Sequence, residues 1–166
     1  NEAKAETPRT SVELHRLDAA SPHPTVVITG YTGGAHCCMA TTFVSADAAG
    51  NWRAVEGQTL DGGGYVIEDA DGDGTAELTH RDNSFLYAFA SYAGSVTPTR
   101  IVRLHGRALA DVTGEPRYQS YLRQEVAGIE HGLQRYGLQE ANGYFAGWVA
   151  AKSLVGGFEP AWAEML

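Results

Sequence analysis

The sequence predicts an α+β protein, an antiparallel β-sheet meander over about residues 25–106 followed by two or three C-terminal helices. Two observations predict it. Short β-branched and aromatic runs recur between turn-forming stretches as far as Gly106, and from Pro116 the apolar spacing changes to three and four residues. A chain of 166 residues with 43% hydrophobic and 19% charged residues is that of one globular domain able to bury its own core. Residues 1–24 are expected to form an extended segment, 25–112 the β-rich part and 113–166 the helical part.

"SPHP" at Ser21–Pro24 holds the chain extended and leads into the first strand near Thr25. "TVVITGYT" and "CMATTFVSA" read as strands, "DAAGN" as a turn and "NWRAV" as the next strand. After Gly62–Gly64, "YVIE" and "ELTHR" flank an acidic loop. "SFLYAFASY" alternates, with Phe85, Tyr87 and Phe89 on one face, and reads as the core side of a strand; "TRIVRLHG" gives another. Tyr118, Leu122, Val126, Ile129, Leu133 and Tyr136 then form one helical stripe between Pro116 and Gly137. A second helix is expected from about Asn142 with Tyr144, Trp148, Ala151 and Val155 as its stripe. A third opens near Pro160, with Phe158, Trp162 and Leu166 as its apolar positions.

Charge narrows the function. The excess of 20 acidic over 12 basic residues gives a net charge of −8, which repels phosphate backbones and anionic lipid surfaces. Nucleic acid is therefore excluded as a partner, and no apolar run approaches the length of a membrane span. "NEAKAETPRT" lacks the basic start and apolar middle of a secretion signal, so a signal was either removed or never present, and we expect one encoded ahead of Asn1. The last helical stripe runs straight into Leu166, from which we expect the natural chain to continue. Motifs for serine, zinc or phosphate-binding catalysis are missing from the sequence, and its histidines are scattered.

The stretch "DADGDGTAE", Asp69 to Glu77, carries the chemistry. Carboxylates crowded this closely repel one another by several kcal/mol in order of magnitude unless a cation lies among them. Calcium takes six to eight oxygens at about 2.3–2.6 Å, which alternate side chains and a backbone carbonyl supply readily. Asp69, Asp71, Asp73 and Glu77 are the candidate side-chain ligands and Thr75 the carbonyl ligand, with Gly72 and Gly74 allowing a tight wrap. The competing reading is a solvated acidic turn without an ion. An EF-hand is rejected because the twelfth position, counted from Asp69, is His80 and strands flank the loop. The pattern D-x-D-x-D-G-x-x-E, with Ile67 before it and Leu78 after it, resembles the calcium loop of FG-GAP repeats, the blades of integrin-type propellers. That resemblance covers Tyr65 to Thr79 and implies the same ligand set. It does not extend to the whole fold, since one loop in 166 residues cannot make a propeller.

"TGGAHCCMATT" is the second unusual stretch. Cys37 and Cys38 are the two cysteines of the chain, and three readings are open: a buried thiol beside a turn thiol, a vicinal disulfide, or a soft-metal site with His36 and Met39. In a strand these four side chains point to alternate faces and cannot converge. Cys37 and Cys38 are the candidate redox residues. "GYTGGAHCC", "EDADGDGTAE" and "FLYAFASYAGS" together resemble an uncharacterised group of bacterial exported proteins with FG-GAP-like calcium loops. That resemblance implies an extracytoplasmic location, periplasmic or secreted, and no activity. The expected function is a non-catalytic, calcium-binding module for a protein or other extracellular ligand. The rivals are a thiol–disulfide or cysteine-dependent enzyme centred on Cys37–Cys38 and a structural subunit of a surface assembly.

Overall fold

A computed structural model describes residues 10–138 and 140–166; the expected extended segment over 1–9 and the Tyr136 side chain lie outside the described residues. Two antiparallel four-stranded sheets precede three helices. The first sheet has the order β1 (Thr10–His15), β2 (Thr25–Tyr31), β3 (Met39–Ala46), β4 (Trp52–Glu56). The second has the order β5 (Val66–Glu68), β6 (Glu77–Arg81), β7 (Thr99–His105), β8 (Ala108–Asp111). The helices are α1 (Gln119–Tyr136), α2 (Ala141–Leu154) and α3 (Phe158–Met165).

The chain falls into two compact units. The first holds the residues up to Glu68 with Thr75–Leu78 and Arg103–Ala110. In it, alternation sets the register: Val27 lies opposite Phe43, and Phe43 opposite Val55. Thr25, Val27, Thr41, Phe43 and Ser45 are all buried on one face, so a slip of one residue would turn this set to solvent. Their hydroxyls pair across strands, Thr25 with Ser45 at 3.3 Å and Thr29 with Thr41 at 3.4 Å. The ring of Tyr65 packs edge-on against Phe43, and Gly57 is required there because a Cβ would strike the Thr41 carbonyl oxygen and both rings.

The second unit holds Asp69–Gly74, Thr79–Val102 and Asp111–Leu166. Ile101, Val112, Tyr118 and Leu122 form one buried cluster, with Ala70 of the acidic loop packed against it. Tyr144, Trp148, Val149 and Ala161 form another, against which Ile129 and Leu133 of α1 pack. The helical stripes predicted for α1 and α2 are the faces that pack. Gly137, with φ 72°, ends α1, and its N–H donates to the Leu133 carbonyl.

Three expectations differ from the structure. Pairing begins at Thr10 rather than near Thr25, because β1 satisfies its backbone against β2 while Val12 and Leu14 stay exposed. The aromatic stretch is not a strand: Asp82 accepts from the Ser84 N–H and hydroxyl, which caps a 3-10 turn at Asn83–Phe85, and turns follow. Tyr87 and Phe89 are exposed rather than in the core. On α3 the buried residue is Ala161, whereas Phe158, Trp162 and Leu166 are exposed.

Candidate metal centre

Asp69 organises the acidic loop. Its Oδ1 accepts from the backbone N–H of Gly72 at 2.7 Å and of Asp73 at 3.0 Å, and its Oδ2 accepts from Gly74 N–H at 2.9 Å. Asp71 Oδ1 accepts from the Asp73 N–H at 3.0 Å. Wrapping backbone donors around a carboxylate this tightly needs left-handed dihedrals at Gly72 (φ 79°) and Gly74 (φ 86°). The glycines in the repeating pattern are thus there for the turn itself.

One carboxylate oxygen of Asp69 and one of Asp71 lie within 4.8 Å of each other. Oxygens held on one calcium at about 2.3–2.6 Å can be at most about 5 Å apart, so the spacing of these two fits that ion. The backbone N–H of Asp73 serves Asp69 and Asp71. Thr75 is buried, and the next residue, Ala76, donates its N–H to the Arg16 carbonyl at 3.0 Å.

Two cations flank the acids, and neither is evident from the motif. In the first unit, Arg103 Nε lies 3.1 Å from Oε1 of the fully buried Glu77. In the second unit, Arg117 Nη1 lies 3.6 Å from Asp71 Oδ2 and Nη2 is ion-paired with Glu115. Glu77 and Arg103 are adjacent only through chain folding, so local spacing carries no signal of their pairing.

The cysteines form a disulfide, Cys37 to Cys38, across a cis peptide bond. It lies in the turn ahead of β3, where Thr32 fastens the segment: the Cys38 N–H donates to the Thr32 hydroxyl at 3.0 Å, and the Thr32 N–H donates to the Cys38 carbonyl at 2.9 Å. His36 Nδ1 is 2.9 Å from Asp61 Oδ1, so the imidazole faces a carboxylate. The soft-metal reading lacks thiolates once both sulfurs are in the disulfide.

Comparison with known proteins adds relatives without a characterised activity. The family model "sll0997 C-terminal domain" matches residues 122–166, most of the helical region, and is a different family from the FG-GAP repeats that the loop resembles. The chain is 38% identical over 156 residues to the Uncharacterized protein y4bJ of Sinorhizobium fredii, across 93% of this chain and 25% of that protein. It is 36% identical over 158 residues to the Probable thylakoid lumen protein sll0997 of Synechocystis sp., across 93% of this chain and 47% of that protein. It therefore spans about a quarter and about half of the length of these two relatives. No solved structure matches. The chain is thus similar to one protein named as uncharacterised and to another named for a lumenal location.

Proposed function

We propose that this chain is a non-catalytic, calcium-binding extracytoplasmic domain that serves as a protein- or ligand-binding module. The observation that carries the metal reading is the pair of Asp69 and Asp71 oxygens on a loop prewrapped by backbone N–H groups, which Glu77 of the same motif would join on the ion. Asp73 and the Thr75 carbonyl would complete an oxygen shell of the FG-GAP type, and a many-oxygen, flexible shell favours calcium over magnesium. The ion would supply charge neutralisation and hold the loop in one conformation. The extracytoplasmic reading is supported by the disulfide, which persists in oxidising compartments, and by the lumenal name of the Synechocystis relative.

Calorimetry on chelator-stripped protein tests the metal: saturable calcium heat, weaker for magnesium and lost in Asp71→Ala, is the expected result. Absence of calcium heat at millimolar concentration would sink it. The second reading, a thiol–disulfide protein centred on Cys37–Cys38, is favoured by the disulfide itself. In that case two electrons and two protons from a dithiol donor would convert the bond to two thiols while the donor becomes a disulfide. Measuring the exchange of this bond with a dithiol buffer, against Cys37→Ser, distinguishes a redox centre from an inert crosslink.

A further inference from the structure

Two pairs of glycines stand four residues apart in the helices, Gly128 and Gly132 on α1 and Gly143 and Gly147 on α2. On α2 the reason is packing. A Cβ at Gly143 would overlap the Gly94 carbonyl oxygen, and one at Gly147 the Val96 carbonyl oxygen. On α1 the described residues supply no such reason, because a Cβ at either position meets none of their atoms within 4 Å, the helix's own backbone aside. Glycine inside a helix lowers its stability relative to alanine, so a pair that no described neighbour requires points to another use of the space.

What Gly128 and Gly132 border is a cavity of about 410 Å³ within the second unit, walled also by residues 93–97 and by Thr99, Gly137 and Glu140. Its volume falls in the lower part of the range of small-ligand sites, about 300–1,000 Å³. Ile129, Leu133, Val96 and the ring of Tyr144 give it an apolar lining. Arg81, an exposed residue, stands on the wall, and its guanidinium makes no hydrogen bond or ion pair with any described residue. Glu125 stands on the same wall; it accepts from the Thr99 hydroxyl at 2.6 Å and has no cation partner among the described residues. Glu140 adds a second carboxylate, held by the Ser91 N–H at 3.0 Å.

We propose that this cavity binds a small zwitterion, an ammonium and a carboxylate on an apolar body, which is the chemistry of a free apolar amino acid. Arg81 pairs with its carboxylate, Glu125 with its ammonium, and the apolar body lies along Ile129 and Leu133 in the space the two glycines leave open. A simple carboxylate would meet Arg81 but also face two like charges, and a simple amine would gain nothing from the solvent-exposed guanidinium. A zwitterion satisfies both. The proposal gives a ligand class to the binding-module reading, yet uses no residue of the acidic loop, so the two stand or fall separately.

The test is calorimetry of L-leucine, L-valine and L-phenylalanine against the protein, with and without a calcium chelator. Two controls accompany them: 4-methylpentanoate, which lacks the ammonium, and 3-methylbutylamine, which lacks the carboxylate. Saturable binding of at least one amino acid, unaffected by the chelator and roughly tenfold or more tighter than either control, is expected, as is a comparable loss in Arg81→Gln. Gly132→Leu should abolish binding without lowering Tm, and Gly128→Leu repeats the measurement should the first variant fold poorly. No saturable heat from any of the amino acids at millimolar concentration overturns the proposal, as does equal binding of the amine or an unchanged affinity in Arg81→Gln. Amino-acid binding that persists where calcium heat is absent would sink the metal reading alone.

Discussion

Asp69 and Asp82 head two turns of the same unit, and both accept hydrogen bonds from nearby backbone N–H groups. They differ in what answers the charge. Asp82 is met by Arg100, whose Nε and Nη2 both lie 2.8 Å from its Oδ2, and Arg100 also reaches Asp111 at 3.3 Å. Asp69 has three backbone N–H donors and no cation partner among the described residues, while Asp71, with Arg117 at 3.6 Å, lies beside it. The Asp82 carboxylate, held by both Nε and Nη2 of Arg100, is a structural fastening. A carboxylate answered by dipoles alone, in acidic company, leaves room for a cation from outside.

The largest effect expected from this contrast is on calcium-dependent stability. An ion that binds the folded loop stabilises by about 2.7 kcal/mol at a hundred times its dissociation constant. Thermal unfolding with and without calcium should show that gain in the native chain and in Asp82→Ala, and lose it in Asp69→Ala. A gain that survives Asp69→Ala would break the contrast.

Removing the fastening comes next. Asp82→Ala deletes the cap on Ser84 and strands Arg100, so urea unfolding should show a loss of about 2 kcal/mol whether or not calcium is present. Arg100→Gln should cost less, because its side chain is 40% exposed and its pair with Asp111 is screened by solvent. A calcium-dependent penalty at Asp82 would mean that the two turns are not chemically distinct.

Acid should separate the same groups more gently. Burial pushes the Asp82 carboxyl upward, but hydrogen bonds from Ser84 and Arg100 outweigh it and leave the pKa below its ordinary 3.8. Asp111 is lowered likewise, with hydrogen bonds from Thr113 and the charge of Arg100 overcoming its own desolvation. For carboxyls lowered on folding, the stabilisation is complete above the unfolded value near 4 and is lost as pH falls through the lower folded value. Stability measured from pH 5 downward should therefore decline below about pH 4, and the decline should be shallower in Asp82→Asn. An unchanged slope in that variant would show that Asp82 contributes nothing to the acid sensitivity.

The smallest expected effect is at Gly72. Its φ of 79° is costly for a residue with a Cβ, although that Cβ would meet no neighbour, so Gly72→Ala should cost about 1 kcal/mol and weaken calcium by loosening the wrap. Hydrogen exchange of the Asp73 and Gly74 amides reads this directly, and unchanged exchange would show that the wrap does not depend on Gly72.

The same division between local and distant chemistry explains which parts of the protein could be read in advance. Val27, Phe43 and Val55 alternate with polar neighbours because one sheet face is buried, and Leu122, Val126, Ile129 and Leu133 recur at helical spacing because one helix face packs. Both patterns lie within a few residues, so strands and helices were legible in sequence order. The first strand was not: Val12 and Leu14 are exposed, and no buried alternation marks it. Phe85 to Phe89 imitated a strand, and the imitation failed because Asp82, fastened to Arg100 far along the chain, caps a turn at its start.

What the sequence by itself determined is the acidic loop. Asp69, Asp71 and Asp73 alternate with residues that allow the wrap, and hydrogen bonds spanning two to five residues depend on little beyond local geometry. The tertiary structure alone decided which cations stand beside those acids, which face of α3 is buried, and that Arg81 and Glu125 line one cavity beside two open glycines. Each of those arrangements joins residues separated by tens of positions, and such a meeting is set by packing of the whole core rather than by the dihedrals of any one segment.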